Sequence, residues 1–211
     1  MSSSSPQPAH VIVMGVSGTG KSSVAEALAR ELGTRFVEGD ALHPEANVRK
    51  MAAGTPLTDA DRWPWLDLIV AAMRREAQEG NALVVTCSAL KRSYRDVLAD
   101  SGAVTVFVHL SGSRELISSR LGGREGHFFP QALLDSQLDT LEPLGPDENG
   151  FAVDVAAPLD EELREIMRRL PDHVGARPDA GPDAARPHRE AAARSEAAAR
   201  PEGAADRAAD R

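Results

Sequence analysis

Residues 15–22 read Gly-Val-Ser-Gly-Thr-Gly-Lys-Ser, a full match to the phosphate-binding loop G-x-x-x-x-G-K-[ST]. No other stretch restricts the fold as tightly, because such a loop works only between a strand and a helix. The chain supplies both. An apolar run at 10–14 precedes it, and a segment of helical periodicity at 21–32 follows, stopped by Gly33 as a C-terminal cap. Along Gly15, Val16, Ser17, Gly18, Thr19 and Gly20, the glycines let backbone N–H groups curl inward around phosphate oxygens. The helix N-terminus adds positive potential at the same point. Lys21 offers a mobile charge for the β- and γ-phosphates of ATP, and Ser22 a hydroxyl for the accompanying Mg²⁺. The motif implies a grip on a nucleoside triphosphate. It does not by itself separate a kinase from a switch or a motor.

Short apolar runs recur at 35–38, 82–87, 104–110 and 151–155. Between them lie helical patterns at 58–80, 91–99, 113–121, 131–141 and 159–170. Thr58 and Asp61 have capping-box spacing at the start of the 58–80 helix, and Pro64 lies near its first turn. Strand then helix, repeated, predicts an α/β fold: a P-loop NTPase-type three-layer sandwich around a five-stranded parallel sheet. Ligands in such sheets sit beyond the carboxyl ends of the strands. That rule gathers Gly15, Asp40, Ser88 and the loop after Leu110. Asp40, at the end of the second strand, has three readings: a Mg²⁺ ligand, the group that hydrogen-bonds and deprotonates an acceptor hydroxyl, or a helix N-cap. The third strand carries no acidic residue at its end, which favours a metal role for Asp40.

Composition narrows the classes. A net charge of −8 over 211 residues argues against a broad nucleic-acid surface. No run approaches the roughly 18–20 apolar residues of a membrane helix. One cysteine, Cys87, forms no internal disulfide or cysteine zinc site and is compatible with a reducing cytoplasm. His43, His109 and His127 lack metal-ligand spacing. Residues 1–9 read as a disordered lead-in, and 10–170 as the domain. Residues 171–211 are mostly Ala, Arg, Asp, Glu, Pro and Gly, and read as a solvated low-complexity tail. From Asp172 on it has 7 Arg against 8 acidic residues, so it is not a basic arm.

Three further segments carry a resemblance. The first is Gly39-Asp40-Ala-Leu-His43-Pro44-Glu-Ala-Asn47-Val-Arg49-Lys50-Met51. After it come Gly54-Thr-Pro-Leu57-Thr-Asp59-Ala-Asp61-Arg62-Trp63-Pro-Trp65-Leu66 and Cys87-Ser88-Ala89-Leu90-Lys91-Arg92-Ser-Tyr94-Arg95-Asp96. With Ser119-Arg120-Leu121, Arg124-Glu-Gly-His127 and Ser136-Gln137, this order resembles the gluconokinase family over residues 11–170. The resemblance implies a small nucleoside- or shikimate-kinase-like protein, commonly a homodimer. Its implied reaction is transfer of phosphate from ATP to the 6-hydroxyl of D-gluconate, giving 6-phosphogluconate for the pentose phosphate pathway. A related sugar-acid or shikimate-like kinase is the neighbouring reading; a nucleotide-binding regulator without catalysis is the distant one.

Gluconate is an open-chain polyol ending in a carboxylate, so its site needs a cation and several polar groups. Candidates are Asp40, His43, Arg49, Ser88, Lys91, Arg95, His127 and Gln137, with arginine able to grip a carboxylate through two hydrogen bonds. Competing structural readings stay open. Arg49 suits a solvated helix face. Lys91 and Arg95, at i and i+4, either converge on one anion or both meet solvent. His43 either faces a ligand or makes a structural hydrogen bond, and Trp63 and Trp65 read as packing. The glycine- and arginine-rich stretch at 120–127 reads as a mobile lid that excludes water from the transfer. Arg124 is the first candidate to stabilise the moving phosphoryl group, so Lys21, Asp40 and Arg124 form the expected catalytic set. Arg120 is second, or lies against adenine, near the backbone at Pro158.

Overall fold

A computed structural model describes residues 8–122 and 131–174. Five strands form one parallel sheet: β1 (Ala9–Met14), β2 (Arg35–Val37), β3 (Leu83–Cys87), β4 (Val104–Ser111) and β5 (Gly150–Asp154), in the order β2-β3-β1-β4-β5. Seven helices are described: α1 (Lys21–Leu32), α2 (Glu45–Ala52), α3 (Asp59–Gln78), α4 (Arg92–Ala99), α5 (Arg114–Gly122), α6 (Gln131–Thr140) and α7 (Leu159–Val174). The expected five-stranded parallel sheet and its strand sequence are present.

Successive side chains on a strand point to opposite faces, and β1 uses both. Val11 and Val13 join Val24 and Leu28 of α1 and Ile166 and Leu170 of α7 on one face. Ile12 and Met14 join Trp65, Leu66, Ile69 and Met73 of α3 and Tyr94 and Leu98 of α4 on the other. A central strand buried on both sides is expected to be nearly continuously apolar, which is why residues 11–14 read as an unbroken run; His10, at its start, is the buried polar exception. A smaller cluster, Val16, Leu90, Ile117 and Leu134, lies under the phosphate loop and joins it to α5 and α6. The register pairs Met14 with Cys87 on one side and with His109 on the other. β1 and β3 therefore finish level, β4 runs two residues further to Ser111, and the loops that follow the three strands share one rim.

Three details depart from the sequence reading. β1 begins at Ala9, within the expected lead-in. A short 3₁₀ turn (Gly39–Leu42) and α2 occupy a stretch for which no helix was predicted, because α2 has hardly any apolar face: Asn47 is its buried residue. α7 runs past Leu170 and Pro171 to Val174. Its last turn is held there by Asn149, whose amide nitrogen donates to the His173 carbonyl at 3.1 Å and whose oxygen lies 3.0 Å from His173 Nδ1. These contacts offset the hydrogen bond that a proline removes from a helix. The expected boundary at 170 thus falls inside a helix; the remaining tail lies outside the described residues.

Candidate active site

The phosphate loop has the backbone its glycines foretell. Gly15, Gly18 and Gly20 have φ of 139°, 86° and 91°, values that side chains with a Cβ resist. At Gly15 a Cβ would also fall 2.6 Å from the Leu110 carbonyl oxygen. α1 starts from Gly20 with no side-chain cap and no acidic residue in its first turn. An uncapped positive end of this kind suits an anion. Thr19 Oγ1 donates to the Val16 carbonyl at 2.9 Å, and Lys21 Nζ donates to the same oxygen at 3.1 Å. From α6, Gln137 Oε1 accepts from the Ser17 N–H at 2.7 Å and Nε2 lies 3.1 Å from Ser17 Oγ.

Asp40 is fixed by its predecessor. The Gly39 N–H donates to Thr86 Oγ1 at 2.9 Å, and the Gly39 carbonyl accepts from Trp65 Nε1 at 2.7 Å. The Thr86 hydroxyl donates in turn to Glu38. A Cβ on residue 39 would overlap the Thr86 carbonyl oxygen at 1.9 Å, so only glycine lets β2 turn here against β3. The Asp40 side chain is 64% exposed and projects to a cleft of about 440 Å³. Ser17, Lys21, Asp40, His43, Arg62, Ser88 and Gln137 line it, with the 51–57 segment as a further wall. Trp65 is buried in the core, as expected of a packing residue, and His43 stacks on it with ring centroids 4.0 Å apart. Burial lowers the His43 pKa, Asp40 partly opposes this, and Arg62 adds to it. The ring is therefore neutral at pH 7.

The cleft thus gathers Ser17, Lys21, Asp40, His43, Ser88 and Gln137 from the expected site residues. Arg49 is not among its walls: its side chain is 72% exposed and pairs with Glu45. Lys91 is held 2.8 Å from Asp59. It precedes α4 as the N-cap residue rather than opening the helix, which breaks the face it was expected to share with Arg95. Arg95 is neither exposed nor aimed at the cleft. Its side chain is 1% exposed, its Nη2 donates to Glu148 at 2.9 Å, and its Nη1 reaches the Ala89 and Leu90 carbonyls at 3.1 and 3.3 Å. Ala89 has a φ of 44°, a strained value for a residue with a Cβ. Arg95 thus clamps the bend that presents Ser88. Arg124 and His127 lie outside the described residues. Arg120 donates to the Val155 carbonyl, just after β5, and Pro158 is exposed at the start of α7, its carbonyl accepting the Glu161 N–H at 2.9 Å.

Arg62 is the cleft cation that the sequence reading did not single out. Its spacing carries the signal. Trp65, Leu66, Ile69, Val70 and Met73 form the buried stripe of α3, and Arg62 lies three and four residues before its first members. A cation that continues an apolar stripe past the core faces a cleft. α3 is set in place by the expected capping box. The Thr58 N–H donates to Asp61 at 2.9 Å and the Asp61 N–H to Thr58 Oγ1 at 3.3 Å. The hydrogen bond from Lys50 and those from Thr58 hold the Asp61 carboxyl down at about 2.

A residue-only metal cage is not present: among the described residues no three His, Cys, Asp or Glu side chains cluster to hold a metal. One hydroxyl on Ser22 and one carboxylate on Asp40 instead suit Mg²⁺ that arrives with phosphate oxygens in its shell. No described helix is long and apolar enough to cross a membrane.

Comparison with known proteins agrees with this geometry. Residues 11–144 match the family model described as an AAA domain. Gluconokinase of Gluconobacter oxydans is 51% identical over 164 residues, spanning 78% of this chain and 92% of that protein. The crystal structure of a gluconokinase from Sinorhizobium meliloti superposes with a TM-score of 0.70 at 50% identity, over 80% of this chain and 94% of that one. A sugar kinase from Janibacter sp. gives 0.75 at 45% identity, over 81% and 99%. With a phosphate loop, an adjoining carboxylate and a cation in one cleft, and relatives this similar over most of their length, the chain belongs to the gluconokinase family of P-loop kinases.

Proposed function

We propose that this chain transfers the γ-phosphoryl group of ATP to the 6-hydroxyl of D-gluconate, yielding 6-phospho-D-gluconate and ADP. The observation that carries the reading is a single cleft lined together by Lys21, Asp40 and Arg62. An anionic polyol suits such a cleft. Arg62 grips the carboxylate, the polar wall takes the hydroxyls, and the terminal hydroxyl meets Asp40. Asp40 orients that hydroxyl and accepts its proton. Lys21 and the N-terminus of α1 hold the phosphates. Ser22 and Asp40 would hold Mg²⁺ brought in with ATP, which would supply charge neutralisation at the triphosphate. The family resemblance supports Arg124 as the cation that closes on the transferring group, with His127 beside the substrate. It also supports Arg120 and Pro158 near adenine, a homodimer, and a cytoplasmic setting.

A coupled ADP-release assay across gluconate, other sugar acids and shikimate tests the substrate. Gluconate is expected to give the highest kcat/KM, and stronger turnover of another acceptor would replace it. Asp40→Asn is expected to keep ATP binding and lose roughly 10²–10⁴ in kcat, the usual range for a general base. Unchanged turnover would remove Asp40 from the chemistry.

A further inference from the structure

The acceptor end of the cleft contains a relay that the roles above leave unused. Asn47 is 3% exposed. Its amide nitrogen donates to the Asp61 backbone carbonyl at 2.7 Å, a partner that can only accept, which settles which end of the amide is nitrogen. The same nitrogen lies 3.3 Å from His43 Nδ1. With one amide hydrogen on Asp61, the second points at the ring, so Nδ1 must offer a lone pair. A neutral imidazole bears one N–H, which then sits on Nε2. Stacking on Trp65, with planes 17° apart, keeps the ring from turning. Trp65 is itself tied to Gly39, the residue before Asp40. His43 Nε2 lies 4.0 Å from Asp40 Oδ1. That is too far for a direct hydrogen bond, yet one oxygen can bridge it at about 2.7–3.0 Å from each group.

We propose that Asn47 is a positioning residue for phosphoryl transfer: it locks His43 as the Nε2–H tautomer, and the ring donates to the acceptor hydroxyl whose proton Asp40 takes. The inference rests on the acceptor role given to Asp40 above. One lone pair of the hydroxyl oxygen accepts from His43 and its hydrogen points to Asp40. The second lone pair is thereby left facing the γ-phosphorus. As that lone pair forms the new O–P bond, the proton passes to the Asp40 carboxylate. The bond from the γ-phosphorus to the β–γ bridging oxygen breaks, and ADP carries that electron pair away. His43 keeps its proton throughout. The arrangement explains why α2, a helix with little apolar surface, buries an asparagine against α3.

Long-range ¹H–¹⁵N NMR of the full chain at neutral pH, with His43 assigned by its absence in His43→Gln, reads the tautomer directly. The expected signature is a bare Nδ1 and a protonated Nε2. A proton on Nδ1 overturns the proposal. Asn47→Ala is expected to mix the tautomers and lower kcat for gluconate about tenfold, the effect of one hydrogen bond, with KM for ATP unchanged. An Asn47→Ala chain with wild-type tautomer and kcat also overturns it. The His43 pair supplies a readout that does not depend on Asn47. Glutamine places an amide nitrogen near the Nε2 position and is expected to keep several-fold more kcat than His43→Asn; equal rates refute the donor role. Failure of the gluconate reading shows separately, as a wild-type chain that binds ATP and turns over no gluconate. The tautomer is read without substrate.

Discussion

Arg62 and Arg95 both lie on inward faces of helices, but Arg62 lines the cleft whereas Arg95 is tied to Glu148. Arg95 is sealed against Glu148, whose side chain is 5% exposed. Removing one member of a buried pair strands the other, at a cost of about 3–5 kcal/mol. Arg95→Met should therefore lower the denaturant midpoint strongly. A normal midpoint with a raised KM for gluconate would return Arg95 to the substrate. Arg62→Met should do the reverse, raising KM for gluconate roughly 10- to 100-fold, as loss of a charged hydrogen bond does, with KM for ATP and stability nearly unchanged. The sequence did not separate the two because Arg95 is decided by a carboxylate 53 positions away, and no local pattern reports that. Cys87 is simpler. Burial pushes its thiol up to about 12, and it is fully buried, so thiol reagents at pH 8 should leave the native chain unmodified. Rapid labelling would show that the end of β3 opens.

At the scale of elements, legibility tracks how much of each element's structure is local. The phosphate loop was readable because its glycines encode their own backbone. α3 was readable because Thr58 and Asp61 announce its start. Thr58→Ala should cost about 1 kcal/mol, as loss of an N-cap does, measurable by thermal denaturation; no change would mean that Lys50 alone fixes Asp61. α2 was hidden because one buried asparagine gives no periodicity to read. The junction of β2 with β3 was half hidden: Asp40 stood out, whereas the need for glycine before it did not. Gly39→Ala must move backbone from backbone. It should destabilise the fold by at least the roughly 1–3 kcal/mol typical of overpacking and should depress kcat more than ATP affinity. An alanine variant with normal kcat would show that Asp40 tolerates displacement.

For the whole molecule, the five-stranded parallel sheet and the gathering of its strand ends followed from the alternation of apolar runs and helices, whereas the order β2-β3-β1-β4-β5 and the walls of the cleft depended on pairings between residues distant in the sequence. Three buried histidines give the fold its pH dependence. His10, His43 and His109 all have pKa values below the ordinary 6.5, with burial as the largest cause in each. The unfolded chain therefore binds these protons first. Stability is complete above about pH 6.5 and declines as pH falls toward the lower native values. Denaturant midpoints measured from pH 7.5 down to 5.5 should drop steadily, and His10→Leu should flatten the slope; a midpoint independent of pH would contradict the neutral, buried state of these rings. The pinning of Gly39 between Thr86 and Trp65 has a different consequence. The residue before the proposed catalytic carboxylate is anchored to the sheet, while much of the cleft's lining comes from the end of α2 and its short connection to α3, residues 51–57. With the roles proposed above, reactivity and acceptor choice should be separately mutable. A library confined to the connection can search for kinases of shorter or longer sugar acids without disturbing the machinery they would share.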